Sequence, residues 1–298
     1  MQALKDFFRR FSDERWAIGF ITNSLDDILS GKDVNVDWVH DRRRDRWFAD
    51  PFVLSADEQE IVLLCEEMYK PRGIKIGRIS RVTVDRATMT ITHVQCLLEL
   101  PTHLSFPAWH RQGDDIFVYP ENSEAGHLTL YCYDDKQRAM QPVGTICDDP
   151  VADAIQTNLL GGERMMMATR LPDVNGNELL IYRWDETVEK FTLQQSVSFK
   201  ENVARMAGDF FNHNGKVYRP TQECNVQYGH AVTLQEVTRD VNGDLAFQEV
   251  RRIYSTHPSL TVGCHTFNVF NNGELIATDA LGFDRMWFRK MLKFLHLH

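Results

Sequence analysis

The sequence lacks the local features that most often assign a function directly. Its six cysteines are far apart and form no C-x-x-C pair, and no spacing resembles a zinc site. It has no Gly-rich phosphate loop and no nucleophile elbow. No apolar run approaches the roughly 18 residues of a membrane-spanning helix, so we predict none. The function must therefore be inferred from residues that are distant in the sequence.

An excess of basic residues is also missing. The chain has 33 Lys and Arg against 42 Asp and Glu, a net charge of -9. Since phosphate neutralisation needs clustered Lys and Arg, we predict no nucleic-acid partner. Residues 1–11 carry charges among their aromatics and lack an uninterrupted apolar region, so we expect no signal peptide. Together with cysteines that we interpret as reduced thiols, these features predict a cytoplasmic protein.

What the sequence does contain is a repeat. Polar turns recur near residues 57, 113, 162, 215 and 273, about 50–60 residues apart, with several apolar strands between them. Such a period predicts an all-β fold, a five-bladed β-propeller. A two-sheet sandwich is the alternative architecture. The predicted first strands of the blades are 48–54, 104–109, 151–160, 204–211 and 263–270.

The two ends of the chain complete the domain prediction. The fifth repeat runs out of strands, so we predict that an early strand at 16–21 completes it and closes the ring. The propeller then spans 15–283. Apolar residues at helical spacing predict short amphipathic helices within 1–14 and 284–298, the second one basic. This basic helix either packs on the outside of a blade or lies on an anionic membrane surface, which would make the protein peripheral at the inner membrane face.

One acidic residue is conspicuous in an otherwise apolar strand. Asp50 lies in the segment 47–54, where burial of a carboxylate costs several kcal/mol unless the group is paired or hydrogen-bonded. Pro51 follows it, and proline inside a strand indicates an edge, a strand start or a bulge. We interpret Asp50 as part of a site.

The repeat brings further polar residues to the same place. If the first strand of each blade lines the axis, equivalent positions are held by Asp50, Ser105 with His103, Asp153, Arg205 and His265. The second strands end in another polar ring, formed by Glu66, Glu67, Glu121, Arg170, Gln222, Glu223 and Asp279. The structural alternative is that ion pairs such as Asp50–Arg205 or Asp153–Arg219 join blades.

Several segments together resemble a known family. They are FADPF at 48–52, GRIS at 77–80, HLSFP at 103–107, YPEN at 119–122, ARMAG at 204–208, YRPTQ at 218–222, QYG at 227–229 and GCHTFN at 263–268. Over residues 15–283 the chain resembles a bacterial five-bladed propeller family similar to the N-terminal domain of plant glucosamine inositolphosphorylceramide transferase. More distantly it resembles glycoside hydrolase family 43.

The resemblance implies roles for three positions. Family 43 hydrolases use a base in the first blade, an orienting acid in the third and a general acid in the fourth. Asp50 matches the base, and Asp153 matches the orienting acid. In the fourth blade this chain has Arg205, which is not a useful proton donor because its pKa is above about 12. Glu121 or Glu223 would have to substitute, and neither lies on the matching strand, which puts standard hydrolysis in doubt.

The remaining residues receive predicted roles from what a reaction at an anomeric carbon requires. We predict Asp50, Glu121 and Asp153 as catalytic, with Glu121 as the acid if the leaving group is an alcohol. If the leaving group is a phosphate or nucleoside diphosphate, cations suffice, and Arg205, Arg219 and His265 are predicted to bind it. The predicted sugar contacts are Gln222, Tyr228, Asn268 and Trp109, together with His103 and Ser105.

Three functions follow from this set. The first is a glycosyltransferase of surface-polysaccharide or glycolipid assembly, the second a glycoside hydrolase or phosphorylase, and the third a non-catalytic glycan-binding propeller. The predicted partners are a carbohydrate and, for a transferase, a lipid-linked acceptor at the membrane surface. No cofactor and no metal site are predicted, while use of a nucleotide-sugar donor and of a divalent metal stays open.

Overall fold

The structure is a computed structural model that describes residues 14–69 and 76–283. The predicted terminal helices lie outside the described residues, except that Glu14 begins the first strand. In the described part of the chain, no helix has the length and apolar content needed to cross a bilayer.

Twenty strands and one short α-helix follow one another along the described chain. They are β1 (Glu14–Ile21), α1 (Leu25–Leu29), β2 (Val36–Trp38), β3 (Arg46–Ala56), β4 (Glu60–Tyr69), β5 (Ile76–Asp85), β6 (Thr90–Leu98), β7 (Trp109–Gln112), β8 (Asp115–Val118), β9 (Leu128–Asp134), β10 (Ala139–Cys147), β11 (Val151–Thr157), β12 (Met165–Arg170), β13 (Glu178–Asp185), β14 (Lys190–Ser198), β15 (Phe211–His213), β16 (Lys216–Glu223), β17 (Ala231–Arg239), β18 (Leu245–Ile253), β19 (Phe267–Phe270) and β20 (Leu275–Phe283).

These strands form five four-stranded antiparallel sheets, the blades of a propeller. Blades one to four are β3–β6, β7–β10, β11–β14 and β15–β18, and blade five has the order β19-β20-β1-β2. The all-β five-bladed prediction is confirmed, and the sandwich alternative is wrong.

The ring closes where the ends of the chain meet. All eight residues of β1 pair with β20, from Glu14 opposite Phe283 to Ile21 opposite Ile276. This confirms the prediction that the early strand completes the fifth blade. Because β1 and β20 are interior strands of one sheet, separating the ends would expose two edges.

Three details of the prediction are wrong. Each blade has a fourth, outer strand that we did not predict, because these strands are largely exposed and lack an apolar run; β6, for example, has no buried residue. The inner strands of blades two, four and five begin later than expected, at Trp109, Phe211 and Phe267. The segment 26–45, in which no helix or strand was predicted, contains most of α1, and β2 as well.

Two β-bulges shape the inner strands at the axis. The pairing of β3 with β4 shifts between Ala49 and Phe52, and that of β11 with β12 shifts between Ala152 and Ile155. A bulge leaves an extra residue unpaired and redirects its side chain. The residues in these bulges include Asp50 and Asp153.

The closing strand supplies a direct test of the ring. Ile18 is 3% exposed in β1, and Val143 is 57% exposed in β10. We expect Ile18→Ala to lower the free energy of unfolding by about 2–5 kcal/mol through loss of buried contacts and cavity formation. Val143→Ala, the control, should change it by less than about 0.5 kcal/mol. Urea unfolding measures both, and equal effects would show that β1 is not integral to the core.

Candidate active site

Asp50 occupies the bulge of β3 with a left-handed backbone, φ 49°. Asp tolerates this conformation better than most residues do. Its Oδ2 accepts a hydrogen bond from the Phe106 amide at 3.0 Å, and the residue is 4% exposed. Burial raises the pKa of Asp50 to about 6, the His265 charge opposing the shift. A carboxylate that titrates near neutrality is suited to general base chemistry.

Asp153 holds the same position in blade three. Its φ is 46°, and it lies in the equivalent bulge of β11. The matching residue of blade two is Phe106, with φ 44°, rather than Ser105 as the sequence suggested. Ser105 precedes it and donates from Oγ to Glu121 Oε2 at 3.2 Å. At this position of blades one to three, the residues with the left-handed backbone are therefore two acids, Asp50 and Asp153, and the apolar Phe106.

His265 is held between two carboxylates. Its Nδ1 lies 2.7 Å from Asp279 Oδ2, and its Nε2 lies 3.6 Å from Asp50 Oδ1. The ring stacks on Trp16 with centroids 3.9 Å apart. Burial disfavours the charged imidazole, yet Asp279 and Asp50 raise the pKa of His265 to about 9. The charged form is therefore the one at neutral pH.

Asp279 is the buried anchor of this group. Its Oδ1 accepts from the backbone amides of His265 and Thr266 at 2.9 and 3.2 Å. Its Oδ2 lies 2.8 Å from Thr266 Oγ1 and 3.4 Å from the Asp50 amide. Burial opposes ionisation, but His265 and these hydrogen bonds lower the pKa of Asp279 below its usual value. A fixed negative charge thus orients both His265 and the backbone that carries Asp50.

Arg205 forms the second charged group. Its Nε donates to Asp153 Oδ2 at 2.6 Å, and its Nη2 donates to Asp153 Oδ1 and to Glu121 Oε2, each at 3.2 Å. Its Nη1 donates to Asn175 at 2.8 Å. Burial raises the pKa of Asp153 to about 7, with Arg205 acting in the opposite direction. The inter-blade pairs are thus Arg205 with Asp153 and Glu121, not the Asp50–Arg205 or Asp153–Arg219 pairs considered above.

Two further residues connect the groups. Gln222 donates from Nε2 to Asp153 Oδ2 at 2.6 Å and to the Met206 carbonyl at 2.8 Å. The Tyr228 ring lies 4.9 Å from the Arg205 guanidinium carbon and 5.3 Å from the His265 ring. Tyr228 is 37% exposed. It is therefore the accessible side chain between the two buried charged groups.

His103 lies beside the acids of β4. Its Nε2 is 3.4 Å from Glu66 Oε1, and its Nδ1 accepts from the Gly77 amide at 3.2 Å. Burial raises the pKa of Glu66 well above its usual range and lowers the pKa of His103. Both shifts favour the neutral forms of this pair.

The structure does not bring Arg219 to this site. Its side chain is fully buried, donates to Gln235 at 2.7 Å and to the Ala204 carbonyl, and lies 5.5 Å from the Phe247 ring. The prediction that it contacts a phosphate is wrong. The sequence held the signal: Arg219 and Gln222 are three residues apart in β16, and such residues face opposite sides of a strand.

Asn268 and Trp109 line a cavity whose lining includes none of the charged residues described above. Asn268 donates to the Pro51 carbonyl at 3.0 Å and accepts from the Asp209 amide at 2.8 Å, so it joins three blades. Trp109 and Asn268 both line a cavity of about 320 Å³ farther along the inner strands. The prediction that these two residues contact a sugar stays a prediction.

Some members of the site were missed. Thr266, Trp16 and Asn175 were not singled out, and Asp279 was named only as part of a polar ring. Trp16 could have been found from the predicted closing strand, since it lies on it. Asn175 lies in an irregular loop, where no periodic pattern gives its direction.

One group of side chains offers ligand atoms for a cation. Asp50, His265 and Asp279 each present one such atom, all within 4.8 Å of one another. The 2.7 Å approach of His265 Nδ1 to Asp279 is, however, hydrogen-bond geometry, which uses the nitrogen for a proton. The prediction that the chain has no metal site, with use of a divalent metal left open, stays a prediction.

Comparison with known proteins identifies a family and a set of structures. Residues 39–272 match the family described as glucosamine inositolphosphorylceramide transferase 1, N-terminal. This confirms the resemblance inferred from the motifs. A comparison with curated proteins finds no match.

Solved structures of glycoside hydrolases share the fold. CoXyl43, a β-xylosidase/α-arabinofuranosidase from a compost microbial metagenome, is 10% identical with a TM-score of 0.55 over 79% of this chain and 90% of that one. RS223 β-xylosidase is 10% identical with a TM-score of 0.53 over 79% and 91%. A GH43_1 enzyme from Xanthomonas citri, complexed with xylotriose, is 9% identical with a TM-score of 0.52 over 94% and 93%. Identities this low show the fold alone.

The Arg205–Asp153 pair makes a prediction for stability. Arg205→Met leaves Asp153 buried without its cation, so we expect the free energy of unfolding to fall by about 3–5 kcal/mol. Adding Asp153→Asn should recover part of this loss, because a neutral amide needs no counter-charge. Urea unfolding of the two single variants and the double variant measures the coupling. Additive losses would mean that the two side chains act independently.

His265 makes a prediction for pH dependence. Its pKa is raised from 6.5 to about 9, so its contribution to stability is complete below pH 6.5 and is lost as pH rises through 9. Asp50 and Asp153 have pKa values of about 6 and 7, and their titration is nearly complete by pH 8. From about pH 8 to 10, we therefore expect the unfolding temperature to fall more steeply in the wild type than in His265→Gln. Parallel slopes would contradict the assignment.

Proposed function

Since this chain belongs to the glucosamine inositolphosphorylceramide transferase 1 N-terminal family, we propose that it is a carbohydrate-active enzyme that transfers a glycosyl group from an activated donor. The match covers residues 39–272, which include Asp50, Asp153, Arg205 and His265. In this proposal the acceptor is a hydroxyl group that attacks the anomeric carbon of the donor.

Asp50 is the proposed general base. It is buried, its pKa is about 6, and Phe106 and Asp279 fix its carboxylate and its backbone. At neutral pH it is mostly ionised and can accept the proton of an attacking hydroxyl. His265, charged and 3.6 Å from Asp50, stabilises this ionised form until the proton is transferred.

The observation that carries the proposal is the pairing of Arg205 with Asp153 and Glu121. A glycosidase of this fold requires a protonated acid for an alcohol leaving group. Here a guanidinium occupies the fourth-blade position, where it donates to Asp153 and Glu121, and a guanidinium is not a useful proton donor. A phosphate leaving group needs no proton, so this arrangement favours a nucleotide-sugar or other sugar-phosphate donor.

The proposed position of the donor follows from Tyr228. This exposed ring lies between Arg205 and His265, the two buried cations of the site. A phosphate over Tyr228 would experience both positive charges, and the sugar would lie toward Asp50. In this proposal Arg205 and His265 keep the phosphate-binding role that the sequence assigned to them together with Arg219.

Turnover measurements test the base. Wild-type protein is incubated with a panel of nucleotide sugars, and the release of nucleoside diphosphate is measured. In a separate assay it is incubated with unactivated xylo-oligosaccharides, and their hydrolysis is measured. We expect turnover of an activated donor only, and a loss of about 10²–10⁴-fold in kcat for Asp50→Asn. Asp185→Asn, an acid at the end of β13 in blade three, is the control and should retain activity.

Other outcomes select the alternatives. Oligosaccharide hydrolysis that depends on Glu121 would establish a glycoside hydrolase instead. Glycan binding without turnover of either substrate class would establish a binding module. Full activity of Asp50→Asn would remove the proposed base.

A further inference from the structure

A second cavity lies between the inner strands of the propeller, apart from the active site. It has a volume of about 320 Å³. Phe52 of blade one, Trp109 of blade two and Asn268 of blade five line it, together with Asp209, which lies just before the inner strand of blade four. Since these residues come from several blades around the ring, the cavity lies near the propeller axis.

This cavity is farther along the axis than the charged groups of the active site. In β3, Val53 lines the cavity and follows Asp50 by three residues. In blade five, Asn268 lines the cavity and follows His265 by three residues. Three residues of extended chain span about 10 Å. A ligand in this cavity would therefore occupy a place different from that of the proposed donor.

Asp209 brings a carboxylate to the cavity. A Cβ at Gly208 would lie 2.2 Å from the Phe267 carbonyl oxygen, so glycine allows this segment to approach β19 closely. The Asp209 amide then donates to Asn268 Oδ1 at 2.8 Å. Burial raises the pKa of Asp209 to about 7, and the Phe210 amide opposes the shift. Among the described residues the carboxylate has no ion-pair partner, so it is available to a ligand that donates a hydrogen bond.

Two further polar side chains line the same cavity. Arg111 is exposed there and has no ion-pair partner in the part of the chain that the structure describes. His110 makes no hydrogen bond to the described residues, and its Nδ1 is fully buried, which leaves Nε2 for a ligand. Burial, with the charge of Arg164, lowers the pKa of His110 to about 4, so the ring is neutral at neutral pH.

The charges of the lining select the class of ligand. Asp209 disfavours an anion, and Arg111 disfavours a cation, yet the two do not pair with each other. Hydroxyl groups both donate and accept hydrogen bonds, so a neutral ligand that carries several of them can bond to both side chains.

The apolar part of the lining and the size of the cavity narrow the ligand further. Trp109 and Phe270 are partly buried and add aromatic surface beside the polar groups. Aromatic rings with a few polar groups are the usual lining of small-molecule sites, which have volumes of about 300–1,000 Å³. A volume at the small end of that range suits one sugar unit, which has polar hydroxyl groups and an apolar ring face.

We propose that this cavity is a second, non-catalytic binding site for one neutral sugar unit. In this site the sugar hydroxyls donate to Asp209 and accept from Arg111, and the sugar ring packs against Trp109. The inference rests on the lining of the cavity and not on the proposed reaction. It assigns the protein a place to hold a glycan while the active site remains free.

Tryptophan fluorescence of the full chain tests the site. The protein is titrated with the methyl glycosides of glucose, galactose, mannose and xylose. We expect at least one of them to change the fluorescence with a dissociation constant of about 1 mM, as is typical of so small a ligand. Trp109→Phe should abolish the change. Trp38→Phe, the matched control on the outermost strand of blade five, should retain it.

A charge variant tests the proposed hydrogen bond. Asp209→Asn keeps the size of the side chain and removes its charge. Hydrogen bonds to charged groups contribute about 10–100-fold to an equilibrium constant, so we expect the affinity for the glycoside to fall at least about tenfold. Asp185→Asn makes the same change in blade three, away from the cavity lining, and should keep the affinity of the wild type. The unfolding temperature of each variant shows whether it is folded.

Several results would overturn the second site. They are no response to any glycoside, a response that persists in Trp109→Phe, unchanged affinity in Asp209→Asn, and a response to choline or inorganic phosphate in place of a glycoside. Asp50→Asn separates this proposal from the reaction, because Asp50 does not line the cavity and the Trp109 signal should persist in that variant. Failure of glycoside binding thus removes the second site alone, and failure of donor turnover removes the proposed reaction alone.

Discussion

The pairing of β1 with β20 is the interaction on which the rest of the structure depends. It joins the two ends of the described chain in one sheet and turns five separate sheets into a closed ring. It also builds half of the site, because Trp16 on β1 stacks on His265, and Asp279 on β20 holds His265 and the Asp50 amide. Stability and site geometry therefore share one origin.

Closure creates a second constraint, which is the burial of several charges near the axis. An isolated buried charge is costly, and each one here has a partner: His265 has Asp279, and Arg205 has Asp153 and Glu121. Arg205 and its partners come from different blades, so these charges are neutralised only in the assembled ring, whereas His265 and Asp279 both belong to blade five. Asp50 alone faces a cation at the longer distance of 3.6 Å, and its pKa is accordingly near 6.

The same need for pairing places an arginine between two acids in the fourth blade. Arg205 donates to Asp153 and Glu121, and a guanidinium is not a useful proton donor. Under the proposed function, the leaving group is therefore one that needs no proton, such as a phosphate.

The sequence by itself determined the number of blades, the closing strand and the convergence of Asp50, Asp153, Arg205 and His265, because repeated apolar strands and turns report backbone periodicity. It did not determine the outer strands, whose exposed residues lack a pattern. The direction of Arg219 could be predicted, because strand alternation turns it away from Gln222. Only the tertiary structure decided which charges pair. Residues 153 and 205 come together because blades three and four are adjacent around the axis, and contacts between blades depend on ring geometry that no local pattern encodes.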